Sequence, residues 1–496
     1  MYYIGFDLGS SSIKFALVEI KSGIAVEVIS YPTTEMEMIS HQNGWAEQDA
    51  DLWWDYLCVG THQLLEKTRV SKNDILGIGI AYQMHGLVLV DKVGAPLRPS
   101  IIWCDSRAVG IGITAHKALG ADYCAAHYLN APGNFTASKL RWVRENEPAL
   151  YAQIYKFMLP GDYIAFKLSG EIQTTISGLS EGIFWDFKED SLAESLMTYY
   201  GIDPSLVPDI VPTVGIQSRL SKEGAAAVGL LEGTPILYRA GDQPNNALSL
   251  NVLQPGEVAA TGGTSGVVYA LSDELSVKEC SRVNNFAHIN YSGSHPIIGK
   301  LLCINGAGIL YRWMKENLAI ATYAQMNELA AEVAIGSEGL RILPFGNGAE
   351  RMLGNINLGV HIKGLELNRH QNSHMCRASL EGIAFAFVYG VEIMQRDGVQ
   401  LSMIKAGDDN LFRSEIFSKT IATLLDVEIA IYHTTGAIGA ARACLLVDGD
   451  VQAYSALVEE NDYKLSYQPQ EDKQAYSAAY ELWKQQLEQE LKSLKK

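Results

Sequence analysis

The stretch R-A-G-D-Q-P-N-N-A-L-S-L runs from Arg239 to Leu250, shortly after the apolar segment Pro235–Leu237. It places one carboxylate, Asp242, at the junction between an expected strand and an expected helix. Pro244 supports a helix start here, because proline lacks the N–H that the first helical turn leaves unpaired. We therefore expect Asp242 or Gln243 to be the N-cap residue, facing the positive end of the helix dipole.

Ten residues further on, the chain reads T-G-G-T-S-G from Thr261 to Gly266. The flanking segments are apolar, so the sequence from Val258 to Val268 predicts a strand, a tight turn and a second strand. Such a turn presents backbone N–H and hydroxyl groups that can hold a phosphate. A carboxylate beside a phosphate-binding turn indicates phosphoryl transfer to a hydroxyl group.

The turn D-L-G-S-S-S at Asp7–Ser12 has the same plan as Thr261–Gly266, about half a chain earlier. It lies in a predicted meander of the three apolar segments Tyr2–Leu8, Phe15–Ile20 and Ile24–Ser30. With 496 residues the chain is too long for one core. We therefore expect an internal duplication into α/β domains at residues 1–245 and 246–496, each offering one turn to a shared central cleft. Chance similarity of two short Gly/Ser turns is the alternative.

Apolar periodicity predicts further elements around these turns. A strand is expected at Asn73–Tyr82, and the small-residue sequence T-T-G-A-I-G-A-A-R-A (434–443) predicts a helix that packs close to a nucleotide. Amphipathic patterns predict helices at Trp45–Thr68, at Asn134–Val143 with Thr136 as cap, at Pro160–Gly170, at His374–Gln395, and near 474–494 as a C-terminal docking helix.

Composition excludes several classes of protein. The net charge of −17 argues against nucleic-acid binding, which needs a basic face. The seven cysteines form no C-x-x-C pair, which is typical of reduced thiols rather than a zinc site or a disulfide framework. Neither a signal peptide nor a membrane span is recognisable, so the sequence predicts a cytoplasmic protein that does not bind membranes.

Taken together, an ordered set of motifs resembles the FGGY carbohydrate kinases, and most of all the xylulokinase branch of that family. The resemblance covers nearly the whole chain and implies an actin-like ATPase (ribonuclease H-like) fold: two α/β domains of similar topology, each with a five-stranded mixed sheet, around a central cleft. The motifs are D-L-G-S-S-S-I-K (Asp7–Lys14), W-A-E-Q-D (Trp45–Asp49), M-H-G (Met84–Gly86), W-C-D-S-R (Trp103–Arg107), F-T-A-S-K-L-R-W-V (Phe135–Val143), A-G-D-Q (Ala240–Gln243), G-G-T-S-G (Gly262–Gly266) and R-A-S-L-E-G (Arg377–Gly382).

The resemblance implies roles for particular residues. Asp242 would be the general base, at its ordinary pKa, for a sugar hydroxyl that attacks the γ-phosphate of ATP. Asp7 would hold Mg²⁺ through water. The sugar would be bound by Met84, His85, Gly86, Trp103, Asp105 and Gln243, with Arg107 orienting the same wall. The nucleotide would be bound by Gly9, Ser10, Ser11, Ser12, Lys14, Gly262, Gly263, Thr264, Ser265, Gly306, Gly407 and Asn410.

The chain also departs from the family pattern. Most members have G-G-G-A where Lys405–Phe412 reads K-A-G-D-D-N-L-F, which leaves the effect of Asp408 and Asp409 on nucleotide choice open. Asn134 replaces a small residue, and Pro244–Asn246 replace the usual alanines after Asp-Gln.

Each candidate has a purely structural alternative. Asp242 could be only a helix cap, Asp7 an Asx turn, His85 a satisfied core histidine, Trp103 a core residue and Lys14 a solvated strand residue. Two further pairs have structural interpretations: Asp408 and Asp409 as a solvated turn, and Glu350 with Arg351 as an ion pair between domains.

The resemblance implies ATP- and Mg²⁺-dependent conversion of D-xylulose to D-xylulose 5-phosphate. Its rivals are a kinase for L-xylulose, ribulose, fuculose, a polyol or glycerol, a catalytically silent sugar-binding regulator, and an actin-like structural or chaperone ATPase. Members of the family occur as monomers or homodimers, and no surface in the sequence decides between the two.

Overall fold

A computed structural model describes residues 1–494, and no helix in that range is long and apolar enough to cross a membrane. The first half builds a mixed sheet from β1 (Tyr2–Leu8), β2 (Ile13–Glu19), β3 (Ala25–Tyr31), β4 (Ile75–Tyr82), β5 (Val214–Arg219) and β6 (Pro235–Gly241). The strand order is β5-β6-β4-β1-β2-β3. Strands β1, β2 and β3 form the expected antiparallel meander, and β4 and β6 continue the sheet in parallel with β1.

The second half repeats this plan. Its strands are β7 (Glu257–Gly262), β8 (Gly266–Ser272), β9 (Asn284–Ala287), β10 (Ile298–Ile304), β11 (Met403–Gly407), β12 (Ile429–Tyr432) and β13 (Tyr463–Tyr467). The order is β9-β10-β8-β7-β11-β12-β13, with an antiparallel meander of β7, β8 and β10 followed by parallel β11 and β12. The shared strand order confirms two α/β units of like topology. The sheets exceed the five expected strands because β5 extends one, and β9 and β13 extend the other.

Helices cover these sheets. They are α1 (Ala50–Thr68), α2 (Val109–Leu119), α3 (Ala121–His127), α4 (Thr136–Asn146), α5 (Pro148–Tyr151), α6 (Pro160–Ser169), α7 (Ile176–Glu181), α8 (Glu194–Tyr200), α9 (Lys222–Val228), α10 (Asp242–Ser249), α11 (Gly308–Asn317), α12 (Tyr323–Ala331), α13 (Asn372–Arg396), α14 (Glu415–Leu425), α15 (Gly436–Ala443), α16 (Val451–Asp462) and α17 (Lys473–Ser493). Short two-stranded ribbons pair Glu47–Gln48 with Ser100–Ile101, Val88–Val90 with Lys156–Met158, Gln173–Thr175 with Asp209–Val211, Trp185–Asp186 with Ser191–Leu192, and Arg341–Phe345 with Gly359–Lys363.

The starts of α1 and α4 differ from the sequence prediction in ways that the local structure explains. Helix α1 begins at Ala50, capped by the Asp49 side chain, because the preceding Glu47–Gln48 pairs as a strand. Helix α4 begins at Thr136 with Phe135 as N-cap, so Thr136 is not the cap. Its hydroxyl instead donates to the carbonyl of Gly86, 3.2 Å away.

The predicted helix at residues 434–443 is α15, and it packs on the first sheet. A Cβ on Gly5 of β1 would collide with the carbonyl oxygen of Ala437, and one on Gly79 of β4 with that of Ala440. The small residues therefore allow backbone to approach backbone. The N-terminus of α15 also receives a hydrogen bond of 2.9 Å from the Asn245 amide to the carbonyl of Gly436.

Strand β9, at the edge of the second sheet, bonds to the first half of the chain. The Asn285 N–H donates to Asn130 Oδ1 at 2.8 Å, and Asn130 Nδ2 donates back to the Asn285 carbonyl at 2.5 Å. The Ala287 N–H donates to Ser180 Oγ at 2.9 Å. The two halves are therefore joined at α15 and at β9.

At the C-terminus, α17 lies against α13 and the strand Arg341–Phe345. Trp483 is fully buried there, and its Nε1 donates to the Ile342 carbonyl at 2.8 Å.

Candidate functional site

Three strands of the first sheet end side by side. Leu8 of β1 pairs with Tyr82 of β4, and Tyr82 pairs with Gly241 of β6. Ligands of parallel sheets bind beyond the carboxyl ends of the strands. Asp7, the loop Met84–Gly86 and Asp242 are thereby brought to one edge of the sheet.

Asp242 is the first residue of α10, and Gly241 is the N-cap, so neither Asp242 nor Gln243 takes the cap position that the sequence predicted. The cap is Gly241 because the helix begins two residues before Pro244. Asp242 is half-buried, so solvent reaches part of the residue at the strand end. Burial, followed by the negative charge of Asp7, raises the pKa of Asp242 to about 7, and a hydrogen bond with Gln243 opposes the rise. The expectation of an ordinary pKa was therefore wrong.

Asp7 lies on β1 opposite Lys14 of β2. Burial raises the pKa of the Asp7 carboxyl, and the Lys14 charge counteracts the rise. Among residues 1–494, no group of three or more Asp, Glu, His or Cys side chains could hold a metal. A cleft with one carboxylate beside a second suits Mg²⁺, which keeps several waters and binds through one or two carboxylates plus substrate phosphates. Asp7 thus fits the ion that the sequence predicted.

Hydrogen bonds hold the first predicted phosphate-binding turn, which runs from Gly9 to Ser12. The Gly9 N–H donates to the Ser12 carbonyl at 3.1 Å and closes the turn. The Ser10 carbonyl accepts from Gln48 Nε2 at 2.7 Å, and the Ser11 carbonyl accepts from the Met36 N–H at 2.9 Å. The turn is therefore held by its carbonyl groups, a geometry that suits a fixed anion cradle.

The second turn borders a cavity of about 990 Å³. Gly262, Gly263, Thr264 and Asn410 line the cavity, as the sequence predicted for a nucleotide site. The turn is braced by α11, whose Gly308 N–H donates to the Gly263 carbonyl at 3.1 Å. A cavity of this size holds a ligand as large as a nucleotide.

Some predicted nucleotide residues do not line this cavity. Gly306 donates its N–H to Glu350 Oε1 at 2.8 Å and packs against Pro344, and Gly308 lines the cavity in its place. Ser265 follows the lining residue Thr264, and neither Ser265 nor Gly407 lines the cavity itself. Four cationic side chains that were not predicted as nucleotide residues also line the cavity, and of these only Arg377 belongs to one of the quoted motifs: Arg312, Arg377, Arg413 and Lys419. Such cations attract a polyphosphate even in an acidic protein.

The acidic pair after β11 is only partly a solvated turn. Asp408 lies 3.5 Å from Arg413 and 3.8 Å from His433, and its N–H donates to the Tyr432 carbonyl. Burial raises the pKa of the Asp409 carboxyl, whereas the charge of Lys14, from the first turn, lowers it. Asp409 thus lies within electrostatic range of Lys14 across the cleft.

His85 has an unused ring nitrogen. Its Nδ1 is buried and has no partner among the described residues, while Phe135 packs edge-on against the ring at 5.2 Å. Burial, followed by the charge of Lys139, holds the pKa of His85 well below its usual value, so the imidazole is neutral. Buried polar atoms in proteins are nearly always hydrogen-bonded. The unpartnered Nδ1 is therefore available to a hydroxyl or ketone oxygen, the kind of ligand that the sequence predicted for this ring.

Gly86 and Asp105, two predicted sugar contacts, both pack within the structure around the cleft. Gly86 packs against Pro160, whose Cγ would lie 2.6 Å from a Cβ at that position. Asp105 is fully buried and faces Arg107, with 2.6 Å between Oδ2 and Nη2, and it also accepts from the Ala46 N–H at 2.7 Å. The prediction that Asp105 contacts the sugar is thus contradicted, because the adjacent guanidinium takes up its carboxylate.

Arg107 lies beside the predicted sugar residues Trp103 and Asp105 in the chain. Its Cζ lies 3.8 Å from the ring centroid of Trp45 and 4.9 Å from that of Trp142. Trp103 is 49% exposed, which excludes it from the core and leaves its ring available. Met84 is 4% exposed and Gln243 is half-buried.

Glu350 and Arg351 do not form the suggested ion pair. Glu350 is fully buried and accepts from the N–H groups of Asn305 and Gly306. Arg351 donates to the carbonyl of Ser281 at 3.0 Å. Both therefore brace backbone on the second side of the cleft.

Residues 2–249 match the N-terminal domain of the FGGY family of carbohydrate kinases, and residues 258–446 match its C-terminal domain. The chain is 28% identical to the xylulose kinase of Staphylococcus xylosus, with 85% of this chain and 87% of the relative covered. It is 26% identical to the xylulose kinase of Escherichia coli (strain K12), with 96% of each chain covered.

Solved structures agree with this match. The xylulose kinase from Rhodospirillum rubrum superposes with a TM-score of 0.88 at 27% identity, with 98% of each chain covered. The Plasmodium falciparum glycerol kinase with ADP superposes with a TM-score of 0.87 at 17% identity, with 99% of this chain and 98% of that chain covered. The actin-like fold implied by the motifs is thereby confirmed. The chain belongs to the FGGY family of carbohydrate kinases.

Proposed function

We propose that the protein phosphorylates D-xylulose to D-xylulose 5-phosphate with ATP, and that Asp242 is the general base. The observation that carries the proposal is the pairing of Tyr82 with Gly241, which places the loop holding His85 and the carboxylate of Asp242 after adjacent strand ends. The neutral imidazole of His85, with its unpartnered Nδ1, and the carboxyl group of Asp242, with a pKa of about 7, therefore follow adjacent strands at one edge of the sheet.

The chemistry follows from these positions. The 5-hydroxyl loses its proton to the Asp242 carboxylate as its oxygen forms a bond to the γ-phosphorus. The bond from that phosphorus to the bridging oxygen breaks, and ADP leaves with the electron pair. A base whose pKa lies near the working pH combines availability with driving force for proton transfer.

Phosphoryl transfer is otherwise mostly alignment and charge stabilisation. Ser10, Ser11, Ser12 and Lys14 bind phosphate from the first half, and Gly262, Gly263 and Thr264 bind it from the second. Mg²⁺ near Asp7, when bound, neutralises charge on the phosphates. Trp103, Met84 and Gln243 complete the sugar side, and Asp105 and Gly86 hold that wall and loop in place.

The xylulose assignment is supported by relatives such as those of S. xylosus and E. coli, which are named xylulose kinases. L-xylulose, ribulose, fuculose and glycerol are the rival acceptors. A site built around particular hydroxyl groups rejects analogues that lack them. A coupled ADP-release assay over this panel, with purified protein, ATP and Mg²⁺, therefore decides the acceptor, and a kcat/KM highest for another sugar would refute xylulose.

The base is tested by Asp242→Ala, which should lose roughly three or more orders of magnitude in kcat while calorimetry still detects sugar binding. Asp450→Asn is the matched control, because Asp450 is an exposed cap of α16 and asparagine caps a helix equally well. Retained turnover in Asp242→Ala would remove Asp242 from its role. Sugar-independent ATP turnover in the wild type would instead favour a structural ATPase.

A further inference from the structure

The peptide groups of His85 are held on both sides by buried ionisable side chains. The His85 N–H donates to Glu181 Oε1 at 3.2 Å, and the His85 carbonyl accepts from Lys139 Nζ at 2.9 Å. Both side chains are fully buried. Between them His85 has a φ of 42°, in the left-handed region that costs free energy for a residue with a Cβ.

Each of these side chains also contacts a second part of the site. Glu181 Oε2 lies 2.5 Å from where a Cβ on Gly241 would be, and the Tyr82 hydroxyl is the polar group nearest to this carboxyl group besides the His85 N–H. The carboxyl group of Glu181 therefore bridges the His85 loop and the residue before Asp242. Lys139 Nζ donates a second bond of 2.9 Å to the Ile102 carbonyl, next to Trp103.

Burial favours the neutral forms of both Glu181 and Lys139. Burial raises the pKa of Glu181 well above its ordinary value, and the charge of Asp242 adds to the rise. Burial lowers the pKa of Lys139 to about 7, and Asp105 opposes that shift. A neutral lysine amine has two N–H donors, which matches the two carbonyls that it reaches.

Burying two such groups costs free energy that an apolar pair would avoid. Neither side chain forms a salt bridge among residues 1–494, although the charge of Asp105 acts on Lys139 and that of Asp242 acts on Glu181. What both do share is the backbone of His85, in a conformation that it would not otherwise favour. Holding the backbone of His85 in this conformation therefore accounts for the free energy spent on burying Glu181 and Lys139.

We propose that Glu181 and Lys139 are positioning residues that hold His85 in its left-handed conformation, and so determine which sugar the site accepts. The inference rests on the proposed function, in which His85 contacts the sugar. Loss of either side chain lets residue 85 relax and moves the ring away from the sugar. Sugar recognition is then lost selectively, because the nucleotide cavity is on the other side of the cleft.

The test compares Glu181→Leu and Lys139→Met with the isosteric Glu181→Gln, which keeps the oxygen that accepts from the His85 N–H. We expect the first two to raise the KM for the preferred sugar about tenfold and to leave the KM for ATP within about twofold, since a small misplacement at a binding group costs affinity there. Glu181→Gln should restore most of the sugar KM. In Glu181→Leu and Lys139→Met the differences in kcat/KM between the sugars of the panel should become smaller.

Lys300→Met is the matched control, because Lys300 is also fully buried and bonded, to Asp397 at 2.8 Å, but lies in the second sheet. It should lower the melting temperature and leave the ratio of the two KM values unchanged. An unchanged sugar KM in both Glu181→Leu and Lys139→Met, or equal increases for sugar and ATP, would overturn the proposal.

A second readout separates this proposal from the function on which it rests. The ¹³Cα chemical shift of His85 reports its backbone conformation in the absence of any substrate. In the Glu181→Leu, Lys139→Met double variant the shift should move away from the value typical of a left-handed residue. An unchanged shift overturns the proposal, whichever sugar is phosphorylated. Failure of the wild type on every sugar in the panel refutes the proposed function alone.

Discussion

The Cα of Gly436, at the start of α15, lies against the carboxyl group of Asp7 on β1: a Cβ there would lie 2.8 Å from Asp7 Cγ. The contact joins the two halves of the chain at Asp7. Because α15 is also fixed to β1 and β4 through glycine contacts, it has no freedom to withdraw from Asp7.

Gly436→Ala should therefore displace Asp7. We expect kcat to fall about tenfold or more and the Mg²⁺ concentration for half-maximal activity to rise, because the methyl group forces the carboxylate from its place. Titration of activity with Mg²⁺ at saturating sugar and ATP measures both effects. Gly110→Ala, in α2 with no atom within 4 Å of the new methyl, should behave as the wild type. Wild-type Mg²⁺ dependence in Gly436→Ala would contradict the contact.

The low pKa of Lys139 predicts how stability depends on pH. In the folded protein Lys139 loses its proton at about 7, whereas in the unfolded chain it keeps the proton until its ordinary value of 10.5. Between these values the unfolded state binds more protons, so this residue makes the wild type more stable as the pH rises. Lys139→Met should lack that contribution.

Melting temperatures of both proteins at intervals from pH 7 to pH 10 test this prediction. Neighbouring titratable groups, Cys104, Asp105 and Glu181, are present in both proteins and cancel in the difference. The advantage of the wild type over Lys139→Met should grow across the interval. A difference independent of pH would show that the lysine is charged in the folded state.

The local part of the fold was predictable because short-range sequence specifies it. A Gly/Ser turn between apolar segments reads as strand, turn and strand, and both turns, with the meander around Asp7, are where the sequence placed them. The role of α15 was not predictable, because its small residues suit approach to a ligand as well as to a sheet. Its partners Gly5 and Gly79 are hundreds of residues away along the chain.

The site divides in the same way. Asp242 and His85 could be singled out as candidates because each follows a strand with a recognisable motif. Asp105 was misassigned although Arg107, the residue that takes up its carboxylate, is only two positions away. Glu181 and Lys139 were missed, since their meaning depends on the backbone of His85, which no local pattern reveals.

The carboxylate of Asp409 predicts an electrostatic penalty on nucleotide binding. It lies within range of Lys14, and Asn410 beside it lines the nucleotide cavity. Asp409→Asn removes a negative charge near the polyphosphate, so the KM for ATP should fall about threefold at low salt and less at high salt. Asp426→Asn makes the same charge change outside the cavity and should leave the KM for ATP unaltered. An increase in that KM for Asp409→Asn would instead show that the carboxylate helps to bind the nucleotide.

The reciprocal bonds between Asn130 and Asn285 predict a stability contribution from the junction at β9. Both residues are fully buried, and Asn130→Ala would leave the Asn285 N–H and carbonyl without their partners. Leaving buried polar groups unpaired costs about 1–3 kcal/mol each, so for the two groups we expect a loss of about 2–6 kcal/mol in the free energy of unfolding. Denaturant titration of the full-length wild type and of Asn130→Ala, followed by fluorescence, measures the loss. Asn146→Ala removes an exposed bond to the Trp142 carbonyl and should cost little. Equal, small losses in the two variants would mean that the Asn130 contact contributes no more than an exposed bond does.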